Sequence, residues 1–246
     1  MSGRDTLRRA YRGLDGIPVI GQNAKKVADT LLKPIYLRFQ SKRALLRNRY
    51  GRGVYAAVWR NTRSGYERFY GDRELIREYL TPERVAFYDA VGETCAAFQP
   101  SSVVDVGCGT GHLLAAIAVR SKTGIPLLGI DFAAAGIARL RELVPEAEGV
   151  VADIATLDLG GRTFDLVVCT EVLEHLHDPD HALRVLEALR GPDGTVVITV
   201  PDGTRDTYEG HVNFWTEATL ASFAAQIGTV DIRRVGPSDD LLAVVR

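Results

Sequence analysis

The chain has 246 residues, of which 46% are hydrophobic and 25% charged, and its formal net charge is −1. This composition is typical of a globular protein with a large core, and it excludes collagen-like, low-complexity and disulfide-stapled chains. The three cysteines form no CxxC pair, which argues against a zinc ribbon. Neither a secretory signal nor an apolar run long enough to cross a bilayer is visible, so we expect a cytoplasmic protein.

The charge is unevenly divided along the chain. Residues 1–70 contain 16 lysines and arginines against four acidic residues, and they carry nine of the 19 aromatic residues. We expect residues 1–80 to form a basic, aromatic-rich helical appendage, with helices near 24–48 and 67–80. Such an appendage would cover a cleft, bind an acceptor, contact a membrane surface or form a homodimer. The absence of an RNA-binding motif and the acidic remainder of the chain disfavour nucleic acid as a partner.

From residue 81 onward the sequence predicts alternating helices and strands. Thr81 and Pro82 indicate the start of a helix that ends near residue 98. Five β-branched runs predict strands at 102–106, 126–130, 149–152, 164–170 and 194–200, and the stretches between and after them predict helices at 112–120, 133–143, 172–189 and 216–227. Strands that alternate with helices form parallel sheets.

Two further strands are predicted at 229–235 and 240–245. Only four residues separate them, which is too few for a helical crossover, so they must form an antiparallel hairpin. The predicted fold is α/β: a Rossmann-like, seven-stranded, mostly parallel sheet with a terminal antiparallel hairpin, spanning residues 81–246.

A glycine-rich loop follows the first predicted strand. Residues 103–111 read VVDVGCGTG, and glycines at such a strand-to-helix turn let the backbone approach a ligand closely. A dinucleotide fingerprint would place a third glycine at His112, and no Walker pattern is present. Asp105, just before the loop, suits a cationic ligand group better than a pyrophosphate.

This segment resembles the first motif of the class I S-adenosylmethionine-dependent methyltransferases. The resemblance implies that the loop wraps the methionine part of S-adenosyl-L-methionine and that Asp105 holds its ammonium group. At the next two strand ends it implies a ribose-binding acid and an adenine-reading acid, each followed by a residue that packs on adenine. The implied cofactor-binding residues are Asp105, Gly107, Cys108, Gly109, Gly111, Asp131, Phe132, Asp153, Ile154 and Thr170. Taken singly, these residues could also be ordinary turn glycines and helix-capping aspartates.

An acid–histidine cluster follows the fourth predicted strand. If residues 171–175 are helical, Glu171, Glu174 and His175 share one face, and His211 follows the neighbouring fifth strand. In one interpretation the glutamates cap or brace the loop, and His175 contacts the substrate or serves as the base, which makes Glu171 and His175 the candidate catalytic residues. In the other, all four residues bind a divalent cation such as Mg²⁺ or Mn²⁺. This set resembles that of small-RNA 3′-end 2′-O-methyltransferases and of some metal-assisted O-methyltransferases.

The sequence therefore predicts an S-adenosylmethionine-dependent methyltransferase. The expected acceptor is a hydroxyl group on a sugar, glycan or other small metabolite, because a metal ion helps most with a weakly acidic alcohol. Two alternatives stay open. One is a methyltransferase of an RNA terminal ribose 2′-hydroxyl, and the other is a non-catalytic partner protein with a methyltransferase fold.

Overall fold

A seven-stranded sheet organises the computed structural model, which describes residues 61–208 and 210–246. These residues belong to one compact unit, Asn48–Arg246. The predictions for residues 1–60, including the helix at 24–48, lie outside the described residues. The strands are β1 (Val103–Val106), β2 (Leu127–Asp131), β3 (Glu148–Val151), β4 (Phe164–Thr170), β5 (Arg190–Val200), β6 (Val230–Val235) and β7 (Asp240–Val245).

The strand order across the sheet is β3-β2-β1-β4-β5-β7-β6. The first five strands are parallel, and β7 pairs antiparallel with both β5 and β6. The predicted α/β class, the seven strands and the terminal hairpin are thus confirmed. Strand β5 begins four residues before the predicted strand, and its pairing with β4 is irregular between Phe164 and Leu166.

Helices cover both faces of this sheet. Within the described residues they are α1 (Arg63–Gly71), α2 (Arg73–Tyr79), α3 (Pro82–Ala96), α4 (His112–Ala118), α5 (Ala134–Leu143), α6 (Pro179–Leu189) and α7 (Glu217–Ala224). The pleat sends Val103 into the layer with α3, α4 and α5, and sends Val104 into the layer with α6 and α7. None of the described helices combines the length and hydrophobicity that a membrane span requires.

Two predicted helices differ from those observed. The helix predicted at 172–189 begins only at Pro179, because proline lacks the N–H that a continuing helix needs, and Asp178 caps the new start. Before it lies a single 3₁₀ turn, Leu173–His175. The helix predicted at 67–80 is divided at Asp72, which ends α1 and whose side chain caps α2.

The sheet reverses its strand order between β1 and β4. In open α/β sheets, ligands bind at such a point, outside the carboxyl ends of the strands. The loops after these two strands touch here: a Cβ atom on Gly107 would lie 2.3 Å from Val172 Cγ2. The fold therefore places the glycine loop and the acid–histidine cluster at one crevice.

Candidate active site

The loop after β1 has a backbone that only glycine adopts easily. Gly107, Gly109 and Gly111 have φ angles of 84°, 52° and 86°. At Gly111 a Cβ atom would also lie 2.4 Å from Leu140 Cδ1. The loop thus presents backbone rather than side chains to the crevice. Cys108 between the glycines is buried, and its Sγ contacts the Gly109 carbonyl.

Two buried acids, Asp105 and Asp131, lie beside this loop. Asp105 is 1% exposed, and its Oδ1 has no hydrogen-bond partner among the residues that the structure describes. Burial, with a smaller contribution from Asp131, raises the pKa of Asp105 to about 8. Burial also raises the pKa of Asp131 to about 6, although its carboxylate accepts hydrogen bonds from the Gly109 and Ala133 N–H groups. No described lysine or arginine lowers either pKa. The pair is therefore suited to a ligand that brings its own positive charge.

The other expected cofactor residues lie along the same edge of the sheet. Asp153 follows β3, is exposed, and accepts a hydrogen bond from the Ala155 N–H. Ile154 is buried and Phe132 is half-buried. Thr170 is buried at the end of β4, opposite Thr199 of β5. Three adjacent parallel strands, β1, β2 and β3, thus each have an acidic residue within two positions of their carboxyl end.

Helix α1, which lies within the predicted appendage of residues 1–80, covers this edge. Glu67 accepts hydrogen bonds from the Ala134 and Ala135 N–H groups and so caps α5, whose own N-cap residue makes no side-chain cap. Arg63 Nε donates to the Phe132 carbonyl at 2.6 Å. The Tyr66 ring lies 5.3 Å from the Phe132 ring. The aromatic spacing in α1 was a signal, but nothing in the sequence shows what the helix covers.

The loops after β4 and β5 are tied together beside the crevice. The Val212 and Asn213 N–H groups both donate to the Glu174 carbonyl. The buried Asn213 side chain donates to the Leu173 and Leu176 carbonyls, each at 2.7 Å. These bonds hold the 3₁₀ turn against the loop that carries His211. Asn213 is not predictable from the sequence, because a lone buried asparagine has no recognisable pattern.

The hydrogen bonds between these two loops bring three of the four expected metal ligands together. His175 Nε2 lies 3.8 Å and His211 Nε2 3.9 Å from Glu174 Oε1, and one ligand atom from each residue lies within 4.8 Å of the others. The Glu174 side chain is 1% exposed, and neither of its oxygens has a hydrogen-bond partner among the described residues. Two atoms about 2.1 Å from one ion can be at most about 4.2 Å apart, so the two distances to Glu174 satisfy this limit.

The two imidazoles are oriented by their other ring nitrogens. His175 Nδ1 faces the Gly210 carbonyl at 3.3 Å, and His211 Nδ1 lies 2.6 Å from Asp206 Oδ2. If each Nδ1 carries the proton, each Nε2 lone pair faces Glu174, which is how metal-binding histidines are commonly held. Burial, and next His211, lowers the pKa of His175 to about 4, so this imidazole is neutral at pH 7. One carboxyl group and two imidazoles form a donor set that fits a divalent cation.

Glu171 lies outside this group of three. It has a φ angle of 56°, unusual for a residue with a side chain and more common at functional sites. Its Oε1 accepts a hydrogen bond from the Thr199 hydroxyl at 3.2 Å, and its Oε2 lies 3.7 Å from Arg84 Nη1. Burial, and next Asp240, raises the pKa of Glu171 to about 7. A carboxyl group that titrates near neutrality is suited to general base catalysis.

Comparison with known proteins identifies a family whose profile covers most of the described residues. The sequence profile of the methyltransferase domain family matches residues 76–232. The ubiquinone biosynthesis O-methyltransferase of Alkalilimnicola ehrlichii is 33% identical over 125 residues, which are 49% of each chain. The trans-aconitate 2-methyltransferase of Delftia acidovorans is 33% identical over 152 residues, 59% of this chain and 56% of that protein. The chain thus spans about half the length of these curated relatives.

Solved structures share the fold at lower sequence identity. The N-methyltransferase NodS from Bradyrhizobium japonicum, in complex with S-adenosylhomocysteine, has a TM-score of 0.61 and 22% identity, covering 76% of this chain and 98% of that chain. CcbJ, a methyltransferase from Streptomyces caelestis, has a TM-score of 0.58 and 18% identity, and the match covers 73% of this chain and 98% of that chain. At these identities the likeness shows the fold alone.

Proposed function

Because the chain belongs to the methyltransferase domain family, we propose that it transfers a methyl group from S-adenosylmethionine to a hydroxyl group of a sugar, glycan or other small metabolite. The observation that carries the proposal is the pair of buried acids, Asp105 and Asp131, beside a glycine loop at the switch point of the sheet. A ligand with an ammonium group and a ribose would satisfy both acids.

Each cofactor group has a matching residue in this arrangement. The unpartnered oxygen of Asp105 would accept a hydrogen bond from the ammonium group, and Asp131 would accept hydrogen bonds from the ribose hydroxyls. Phe132 and Ile154 would pack on adenine, and Asp153 would accept from its amino group. When bound, S-adenosylmethionine supplies an electrophilic methyl carbon, and the enzyme's main task is to align the acceptor with it.

Glu171 is the best candidate for the group that removes the acceptor proton. Its pKa of about 7 leaves about half of it ionised at neutral pH, whereas His175 is too weak a base to hold a proton there. Thr199 and Arg84 hold the Glu171 carboxylate in place. We therefore assign the base to Glu171, and the role of His175 to orienting or binding.

Glu174, His175 and His211 would hold a divalent cation such as Mg²⁺ or Mn²⁺. When bound, the cation would lower the pKa of a nearby alcohol. Support comes from the Glu174 carboxyl group, which has no hydrogen-bond partner in the described part of the chain. Burial raises its pKa well above the ordinary value, and Glu171 makes the next largest contribution. This cation site uses three of the four residues expected from the sequence and leaves Glu171 free for proton transfer.

Calorimetry with S-adenosylhomocysteine tests the cofactor assignment directly. Binding by the folded full chain, together with no binding of NAD, is the expected result; the reverse pattern would reject the proposal. The acceptor can then be sought among hydroxylated sugars and metabolites. Trans-aconitate belongs in that panel, because it is named as the substrate of a relative, and an amine series belongs there because NodS is named an N-methyltransferase.

A further inference from the structure

Tyr66 of α1 lies between the two halves of the site. Its ring centroid is 5.3 Å from that of Phe132 on the cofactor side and 6.4 Å from that of His175 on the acceptor side. Tyr70, one turn further along the helix, lies 5.6 Å from Tyr66 and covers the glycine loop, since a Cβ atom on Gly109 would be 3.1 Å from its hydroxyl. In the proposed reaction the methyl group would pass between these halves, and Tyr66 would border its path.

The neighbours of Tyr66 are acidic and aromatic side chains. Burial raises the pKa of Tyr66 above its ordinary value, and Glu174 makes the next largest contribution, followed by three further groups that include Asp131. The phenol therefore stays protonated and the ring uncharged at neutral pH. An uncharged aromatic face is a favourable neighbour for a cation.

The methyl donor and its product differ in charge at one atom. In the transfer, the acceptor oxygen forms a bond to the methyl carbon, the carbon–sulfur bond breaks with its electron pair on sulfur, and Glu171 takes the acceptor proton. The sulfonium thereby becomes a neutral thioether. An aromatic face within about 6 Å attracts the first and not the second.

We propose that Tyr66 is a specificity-determining residue whose ring makes the pocket prefer the charged methyl donor over its neutral product. This rests on the proposed function, because it takes S-adenosylmethionine as the donor. The preference disappears when the methyl group leaves, so the same ring favours release of S-adenosylhomocysteine after each turnover.

Calorimetric titration of the full chain with S-adenosylmethionine and with S-adenosylhomocysteine tests the proposal through the ratio of the two dissociation constants. Tyr66→Leu should weaken donor binding about 3- to 10-fold more than product binding. Tyr66→Phe keeps the ring and should leave the ratio unchanged within about twofold. Phe69→Leu is the matched control: Phe69 lies on the same helix but packs on Tyr70 and Tyr79, each at 5.5 Å, and should leave the ratio unchanged.

Equal weakening of both ligands by Tyr66→Leu would overturn the proposal, because it would mean that Tyr66 only supports the pocket. If Tyr66→Leu does not fold, Tyr66→Met preserves most of the side-chain volume without the aromatic face, and the same change in the ratio is expected. A wild-type chain that binds neither ligand would reject the proposed function itself. Wild-type binding of both with an unchanged ratio in the leucine or methionine variant would reject only the role of Tyr66.

Discussion

Asp105 is a residue at which folding stability and the proposed cofactor binding make opposite demands. Burial raises its pKa from an ordinary value of 3.8 to about 8, so the folded chain keeps the proton that the unfolded chain loses. Above pH 4 this difference favours the unfolded state by about 1.4 kcal/mol per pH unit, up to pH 8. At pH 7 the buried carboxyl group therefore costs about 4 kcal/mol of folding stability, as an upper limit.

Asp105→Asn removes this titration while keeping the side-chain shape. The new amide brings N–H donors that need partners, which offsets about 1–3 kcal/mol of the gain. We expect the ligand-free variant to be more stable than the wild type at pH 7 by about 1–3 kcal/mol, and the difference to shrink toward pH 5. Binding should change in the other direction, because a charge-assisted hydrogen bond to the ammonium group is worth about 1.5–3 kcal/mol, or roughly 10- to 150-fold in affinity.

Urea unfolding of ligand-free protein at pH 5 and pH 7 measures the first effect, and calorimetry with S-adenosylmethionine measures the second. Asp193→Asn, at an exposed position of β5, is the control and should change neither quantity. The reasoning would be refuted if Asp105→Asn were less stable than the wild type at pH 7 or bound the cofactor as tightly.

Three further changes test the rest of the site. Because only ionised Glu171 accepts a proton, wild-type kcat should rise with pH through about 7 and then become constant. Glu171→Gln should lower kcat about 10²- to 10⁴-fold, remove the pH-dependent rise and leave cofactor affinity unchanged. A pH-dependent rise that persists in this variant would assign the base to another residue. EDTA should abolish activity that Mg²⁺ or Mn²⁺ then restores, and His211→Ala should weaken the response to metal, whereas full activity in EDTA would reject the cation site. Gly111→Ala should destabilise the fold by about 2–4 kcal/mol, because strain adds to its contact with Leu140. Gly124 also has a positive φ angle but has open space around it, so Gly124→Ala should lower the free energy of unfolding by only about 1–2 kcal/mol. Equal decreases for the two variants in chemical unfolding would contradict this account.

Much of the fold could be predicted from the chain because local pattern and chain order restrict it strongly. Runs such as FDLVVCT are buried on both faces of a parallel sheet, so their apolar residues show no alternation. The four residues between the last two strands leave no topology except a hairpin. The helix predicted to begin at residue 172 was wrong at its start, because the apolar spacing continued across Pro179 although the backbone could not.

What the sequence determined by itself is the set of acids at the strand ends. Parallel strands end at one edge of a sheet, so Asp105 and Asp131 had to lie near each other once the strands were assigned. The tertiary structure alone decided which other groups join them. His175 and His211 meet because Asn213 ties two loops together, and Tyr66 reaches Phe132 from 66 residues earlier in the chain. Such contacts depend on the paths of loops and of a covering helix, which hydrophobic periodicity does not encode.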